Sequence, residues 1–218
     1  MRESIILFYF VFQSTLKMSK EEYLEDLTAI KDLMNKSSRF FSLSGLSGIL
    51  AGIYALIGAA AAYYLVSISG RDHLILDGKT FNYILIVLAA VAGLSVFTAI
   101  GLSTRKAKKN NEKLWNSTSK RLLTAFLIPL ITGGIYILIK LNSHHYGLTG
   151  SLMLIFYGLA LVNASKYTIG NVKYLGYVEI VLGLICAVYP GLGFWFWVAG
   201  FGVAHIIYGA LIYVKHDV

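Results

Sequence analysis

Apolar residues run along this chain in long blocks separated by short polar stretches. Six blocks stand out: Leu43–Ile68, Phe81–Leu102, Leu122–Leu141, Leu148–Val162, Val172–Tyr189 and Gly193–Val214. A helix needs about 20 apolar residues to cross the hydrocarbon core of a bilayer. The fourth block is short and is expected to continue into Asn163–Lys166. Period-2 alternation is absent, and the blocks are too long for barrel strands. Backbone polar groups in lipid must bond within their own segment, so each block reads as a helix. The pattern predicts an all-α fold, a polytopic transmembrane helix bundle of six spans.

Composition supports this reading. Hydrophobic residues make up 57% of the 218 and charged residues 14%, and mean hydropathy is +0.68. Soluble domains carry about 25% charge. So few polar groups cannot cover a water-soluble globule of this size. An ordinary cytosolic enzyme, a disordered chain and a secreted disulfide scaffold are excluded, and an integral membrane protein remains. The single cysteine, Cys186, lies in an apolar run and reads as a small buried hydrophobe.

The net charge of +8 resembles a nucleic-acid signal until its placement is considered. Setting aside Arg2 and Lys17, 14 Lys and Arg residues fall before the first span, between spans two and three, between four and five, and in the tail. The alternate loops hold 3: Arg71, Lys79 and Lys140. By the positive-inside rule both termini are cytoplasmic, and the expected location is a cell inner membrane. Arg105, Lys106, Lys108 and Lys109 then read as topology anchors meeting anionic lipid, each worth about 1 kcal/mol near the surface. Trp115 suits the interface. No stacking platform or recognised binding module accompanies the charge, so nucleic acid is not an expected partner.

Residues 1–17 are expected to be an upstream extension, with Met18 as the natural initiator. Ile5–Phe12 is too short to span, and no small-residue cleavage site follows it. Residues 18–42 predict a cytoplasmic amphipathic helix. Ser19 and Glu22 form a capping box, and acidic residues come early and basic ones late, as the helix dipole favours. Tyr23, Leu27, Ile30 and Met34 make one apolar stripe. That stripe either lies on the membrane face or the bundle, or docks a cytoplasmic protein. Residues 43–218 form the six-helix transmembrane domain.

Ser44, Gly48 and Gly52 recur at four-residue spacing, followed by Ala55 and Ala59. Small residues so spaced allow close helix approach, either within the bundle or in a homo-oligomer. Gly200 and Ala204 are a similar pair. Pro129, followed by Gly133 and Gly134, is expected to bend the third span.

Few strongly polar side chains lie inside the spans. Glu179 is the sole acid there, and an intramembrane ionisable group is costly and a functional candidate by default. It lies roughly 9 Å past Lys173, and His205 roughly 15 Å from the same face, at 1.5 Å per residue. With Asn163 they are expected to form one polar layer. The alternative is purely structural: Glu179 accepting from tyrosines, protonated, or snorkelling to the surface. The adjacent His144 and His145 point apart on a helix and read as an outer-loop pair. No HExxH, GxSxG, Walker or CxxC motif occurs. No catalytic residue, metal site or cofactor is expected.

At SRFFSLSGLSGILAGIYALIG (Ser38–Gly58) and GFGVAHIIYGALIYVKH (Gly200–His216) the chain resembles a group of uncharacterised bacterial six-span inner-membrane proteins, often encoded beside a winged-helix regulator. The resemblance covers most of the chain from Met18 onward and implies a regulatory or stress-linked setting. It carries over no catalytic residues. The leading expectation is therefore a regulatory or accessory membrane protein that engages a cytoplasmic partner and is not an enzyme. The alternative is a small proton- or cation-coupled transporter or channel using Glu179 and His205. A weaker third reading is an intramembrane enzyme acting on lipid.

Overall fold

The computed structural model describes residues 23–28, 44–68, 78–109, 115, 117–143, 145–168 and 172–216. Among these, all regular structure is helical. The chain divides into two units, Met1–Arg39 and Phe40–Val218.

In the first unit the described residues are the helix at 23–28, on which Tyr23, Leu24 and Leu27 are exposed. Ile30, Met34, the capping box and residues 1–17 lie outside the described residues.

The second unit begins with α1 (Gly45–Ile68), α2 (Gly78–Lys109) and α3 (Ser117–Asn142). These are followed by α4 (Thr149–Ala164) and α5 (Val172–Val188). A short turn, Pro190–Leu192, leads into α6. That last helix is one rod in three parts: Gly193–Trp197 is α-helical, Val198–Ala204 is π-helical, and His205–His216 is α-helical again. Every apolar block of the sequence is thus a helix. Four stretches are long and apolar enough to cross a membrane: α1, α2, α3, and Pro190–Lys215 of the last rod. The fourth and fifth blocks are shorter helices, of 16 and 17 residues, or about 24 and 26 Å. α4 ends where the chain tightens into a 3-10 turn at Ser165–Tyr167. α2 runs on through Arg105, Lys106, Lys108 and Lys109.

The helices pack as a chain of neighbours. α2 lies on α1, α1 on α6, α6 on α4 and α5, and α3 on α4. Lipid tails are as apolar as leucine, so these contacts depend on close fit and on polar bonds rather than on escape from water. The seams show this. At the α4–α5 seam Gly158 and Gly176 face each other: a Cβ on Gly158 would stand 2.6 Å from the Gly176 carbonyl, and one on Gly176 would stand 2.8 Å from the Gly158 carbonyl. Farther along, the Ser151 hydroxyl donates to the Gly183 carbonyl at 2.8 Å. Gly48 and Gly52 of the predicted small-residue stripe press on Gly209 and Gly202 of α6, so the stripe serves packing within the bundle. Ser44 precedes α1, and its carbonyl accepts from the Ser47 hydroxyl. α3 continues through Pro129 as a single helix. The glycine four residues on, Gly133, receives the ring of Phe156, whereas Gly134 faces open space.

Candidate functional site

The polar groups of the bundle interior meet where α4, α5 and α6 converge. Glu179 projects from α5 on the face that also carries Leu175, Gly183 and Cys186, all buried. Its relative exposure is 0%, so it does not snorkel to the surface. His205 opens the last α-helical part of α6 and is 6% exposed. His205 Nδ1 lies 3.4 Å from Glu179 Oε1, within ion-pair distance.

The ring is held on every side. Nδ1 is 3.0 Å from the Gly200 carbonyl. A carbonyl only accepts, so the hydrogen is on Nδ1 and that nitrogen donates. Nε2 is 2.8 Å from the Tyr157 hydroxyl on α4. The Phe201 ring stacks on the imidazole at 5.9 Å between centroids, and Tyr157 leans on it at 5.3 Å. Phe126 of α3 meets Tyr157 edge-on.

The carboxyl, by contrast, is crowded but unbonded. Neither oxygen of Glu179 makes a hydrogen bond among the described residues, and the indole N–H of Trp197 is likewise without a partner. Gly200 lies against it so closely that a Cβ there would stand 2.5 Å from Glu179 Oε2 and 2.5 Å from Leu154 Cδ2. A bare carboxylate beside a neutral imidazole in such a place would be an uncompensated buried charge, which is strongly unfavourable.

No cluster of three or more His, Cys, Asp or Glu side chains occurs among the described residues.

The structure brings together two of the three predicted polar residues. Asn163 is used elsewhere: its amide donates to the Ala125 carbonyl at 2.8 Å and ties α4 to α3. The expected tyrosine partner exists, but Tyr157 serves His205 rather than Glu179. Cys186 is fully buried, as its apolar surroundings suggested. His145 is exposed between α3 and α4. The sequence reading missed Tyr157, the role of Gly200 and the π-helical stretch. One signal for Tyr157 was present: it shares the stripe of Leu154, Leu161 and Ala164 on the buried face of α4.

No protein-family model matches this chain, and neither a curated protein nor a solved structure matches it.

Proposed function

We propose that the chain is a six-span protein of a bacterial inner membrane with both ends in the cytoplasm. It is a regulatory or accessory protein rather than an enzyme, and its working element is the proton shared by Glu179 and His205. The single observation that carries this reading is a fully buried carboxyl 3.4 Å from a ring nitrogen, with no hydrogen-bond partner for either of its oxygens among the described residues. Leu154 and Gly200 close on the carboxyl, and the rings of Tyr157 and Phe201 close on the imidazole.

Six spans are supported by the apolar surroundings of the two shorter helices. Val178, Val181, Leu184, Ile185 and Val188 of α5 are exposed on the bundle and require a lipid environment. About 24–26 Å of helix falls only slightly short of a thin bilayer core of about 27 Å. The charge asymmetry supports cytoplasmic ends. Tyr23, Leu24 and Leu27 offer an exposed apolar face to a cytoplasmic protein partner, consistent with the regulatory setting implied by the resembled group.

The test is proton counting. A pH-indicator dye should register one titrating proton per chain that is lost in Glu179→Gln. An unchanged count in that variant would overturn the assignment. The second reading, a proton-coupled transporter, is favoured by the same pair. It additionally requires a pH-driven flux in proteoliposomes that Glu179→Gln abolishes.

A further inference from the structure

The two sides of the bundle meet on α6: α1 and α2 lie on one side, and α4 and α5 with α3 lie on the other. The π-helical stretch Val198–Ala204 sits at this junction and touches both. Gly200 lies on the carboxyl of Glu179 from α5 and on Leu154 from α4. Two residues later Gly202 lies on α1, where a Cβ would stand 2.5 Å from Leu56 Cδ2. His205 follows the stretch, and its ring bonds back five residues to the Gly200 carbonyl. A π turn carries one residue more than an α turn, and such turns are rare, short and frequent at functional sites. Here the ring that faces Glu179 also fastens the wide turn.

We infer that the π turn of α6 is a winding switch, set by the proton shared between Glu179 and His205, that moves α1 and α2 relative to α3, α4 and α5. The inference rests on the proton-sharing pair proposed above. With the proton on the carboxyl, Glu179 is neutral and does not compete for Nδ1–H, which serves the Gly200 carbonyl. When the proton leaves to bulk water, the carboxylate is left negative, and the nearest hydrogen it can accept is that same Nδ1–H. The ring turns to the carboxylate, and the Gly200 carbonyl loses its side-chain partner. The backbone N–H of Ala204, four residues on, replaces it, which is the α-helical pairing. Rewinding from π to α advances His205–His216 by one residue, about 1.5 Å along the axis and about 100° around it. Gly209, which touches the backbone of α1, moves with it, and Gly202, inside the rewound stretch, turns against Leu56.

The other titratable groups around the pair are few. Tyr157 of α4 is bonded to the ring, and Tyr208 of α6 lies one turn beyond His205 in the adjoining apolar cluster. Cys186 of α5 is two turns from Glu179 and lies toward Gly193. α1 brings Gly48, Gly52 and Leu56 to this part of α6. Its Tyr54 is bonded to Thr98 of α2, its Tyr63 meets Phe194, and its Tyr64 is exposed. α3 contributes the ring of Phe126.

The experiment measures two quantities on one sample of full-length protein in nanodiscs, in a Cys186→Ala background. Nitroxide labels at the exposed positions Phe97→Cys on α2 and Ile128→Cys on α3 report the distance between the two sides, and a pH-indicator dye counts protons. The mean distance should shift by about 1.5 Å or more as the pair titrates, the rise of one residue. Glu179→Gln should hold it at one value. Leu56→Ala, or the milder Leu56→Val, should leave the proton count intact and remove at least about half of the shift, because it unloads the contact between the π turn and α1. A constant distance while one proton titrates overturns the switch and leaves the pair standing. So does a full shift in both Leu56 variants. Absence of any titrating proton overturns the pair, and the switch with it.

Discussion

The ring N–H of His205 is aimed at the carbonyl of Gly200, 3.0 Å away, and not at the carboxyl of Glu179, which lies 3.4 Å from the same nitrogen. The pair is therefore close enough to share charge but is not locked by a hydrogen bond. A locked pair would be a structural cross-tie between α5 and α6. An unlocked one leaves Nδ1–H with a second acceptor within reach.

Removing one partner of this pair should be worse than removing both. His205→Leu leaves a buried carboxyl with no counterpart and should cost about 3–5 kcal/mol. Combining it with Glu179→Gln should restore a large part of that loss. Thermal unfolding in detergent measures the three variants. Losses that simply add would mean that the two side chains act independently.

Tyr157→Phe isolates one hydrogen bond. The ring contacts with Phe201 and His205 remain, while the hydroxyl at 2.8 Å from Nε2 is lost. The expected loss is about 0.5–1.5 kcal/mol with helix content unchanged. Tyr157→Leu, which also removes the ring contacts, should cost clearly more in the same melting assay. Equal stability of the two variants would leave the hydroxyl as the whole of the residue's role.

The helices were legible in the sequence because hydrocarbon imposes one rule on all of them: long apolar blocks and internal backbone bonding. Glu179 and His205 were legible for the same reason, since a charge there is too costly to be incidental. Asn163, expected in one layer with them, bonds the Ala125 carbonyl instead, because depth along a helix does not say which neighbour a side chain faces. Tyr157 was hidden among fifteen tyrosines, most of which suit interfaces. The π stretch was invisible because a 3.6-residue period has no mark for one extra residue, and Gly200 looked like one more small residue for helix approach. Nothing in the spacing of Pro129, Gly133 and Gly134 shows that Gly133 receives the ring of Phe156.

Two glycines make a matched test of packing. At Gly200 an added methyl meets the Glu179 carboxyl and Leu154 at 2.5 Å, whereas at Gly134 it meets nothing within 4 Å. Gly200→Ala should cost about 1–3 kcal/mol through overpacking. Leu154 is fully buried and Leu154→Ala is itself costly, but combined with Gly200→Ala the loss should be smaller than the sum of the two single losses, because the truncation opens one side of the contact. Gly134→Ala should be neutral or slightly stabilising, because alanine is the better helix former. Melting curves that rank Gly134→Ala below Gly200→Ala would contradict the packing described for the site.

The two short helices decide the span count, and cysteine accessibility can read it. In a Cys186→Ala background, Lys108→Cys sits on the basic end of α2 and Leu148→Cys on the segment before α4, both exposed. α3 joins these two regions over 26 residues, about 39 Å, so they should lie on opposite faces of the membrane. An impermeant maleimide added to intact cells should modify Leu148→Cys at once and Lys108→Cys only after permeabilisation. Lys173→Cys, at the start of α5, and Gly191→Cys, in the turn after it, extend the test. If α4 and α5 both cross, Lys173→Cys follows Lys108→Cys and Gly191→Cys follows Leu148→Cys. If α4 and α5 instead form a hairpin that enters and leaves by one face, Lys173→Cys is modified in intact cells together with Leu148→Cys and Gly191→Cys. That pattern would replace six spans by four while leaving both chain ends on the same side.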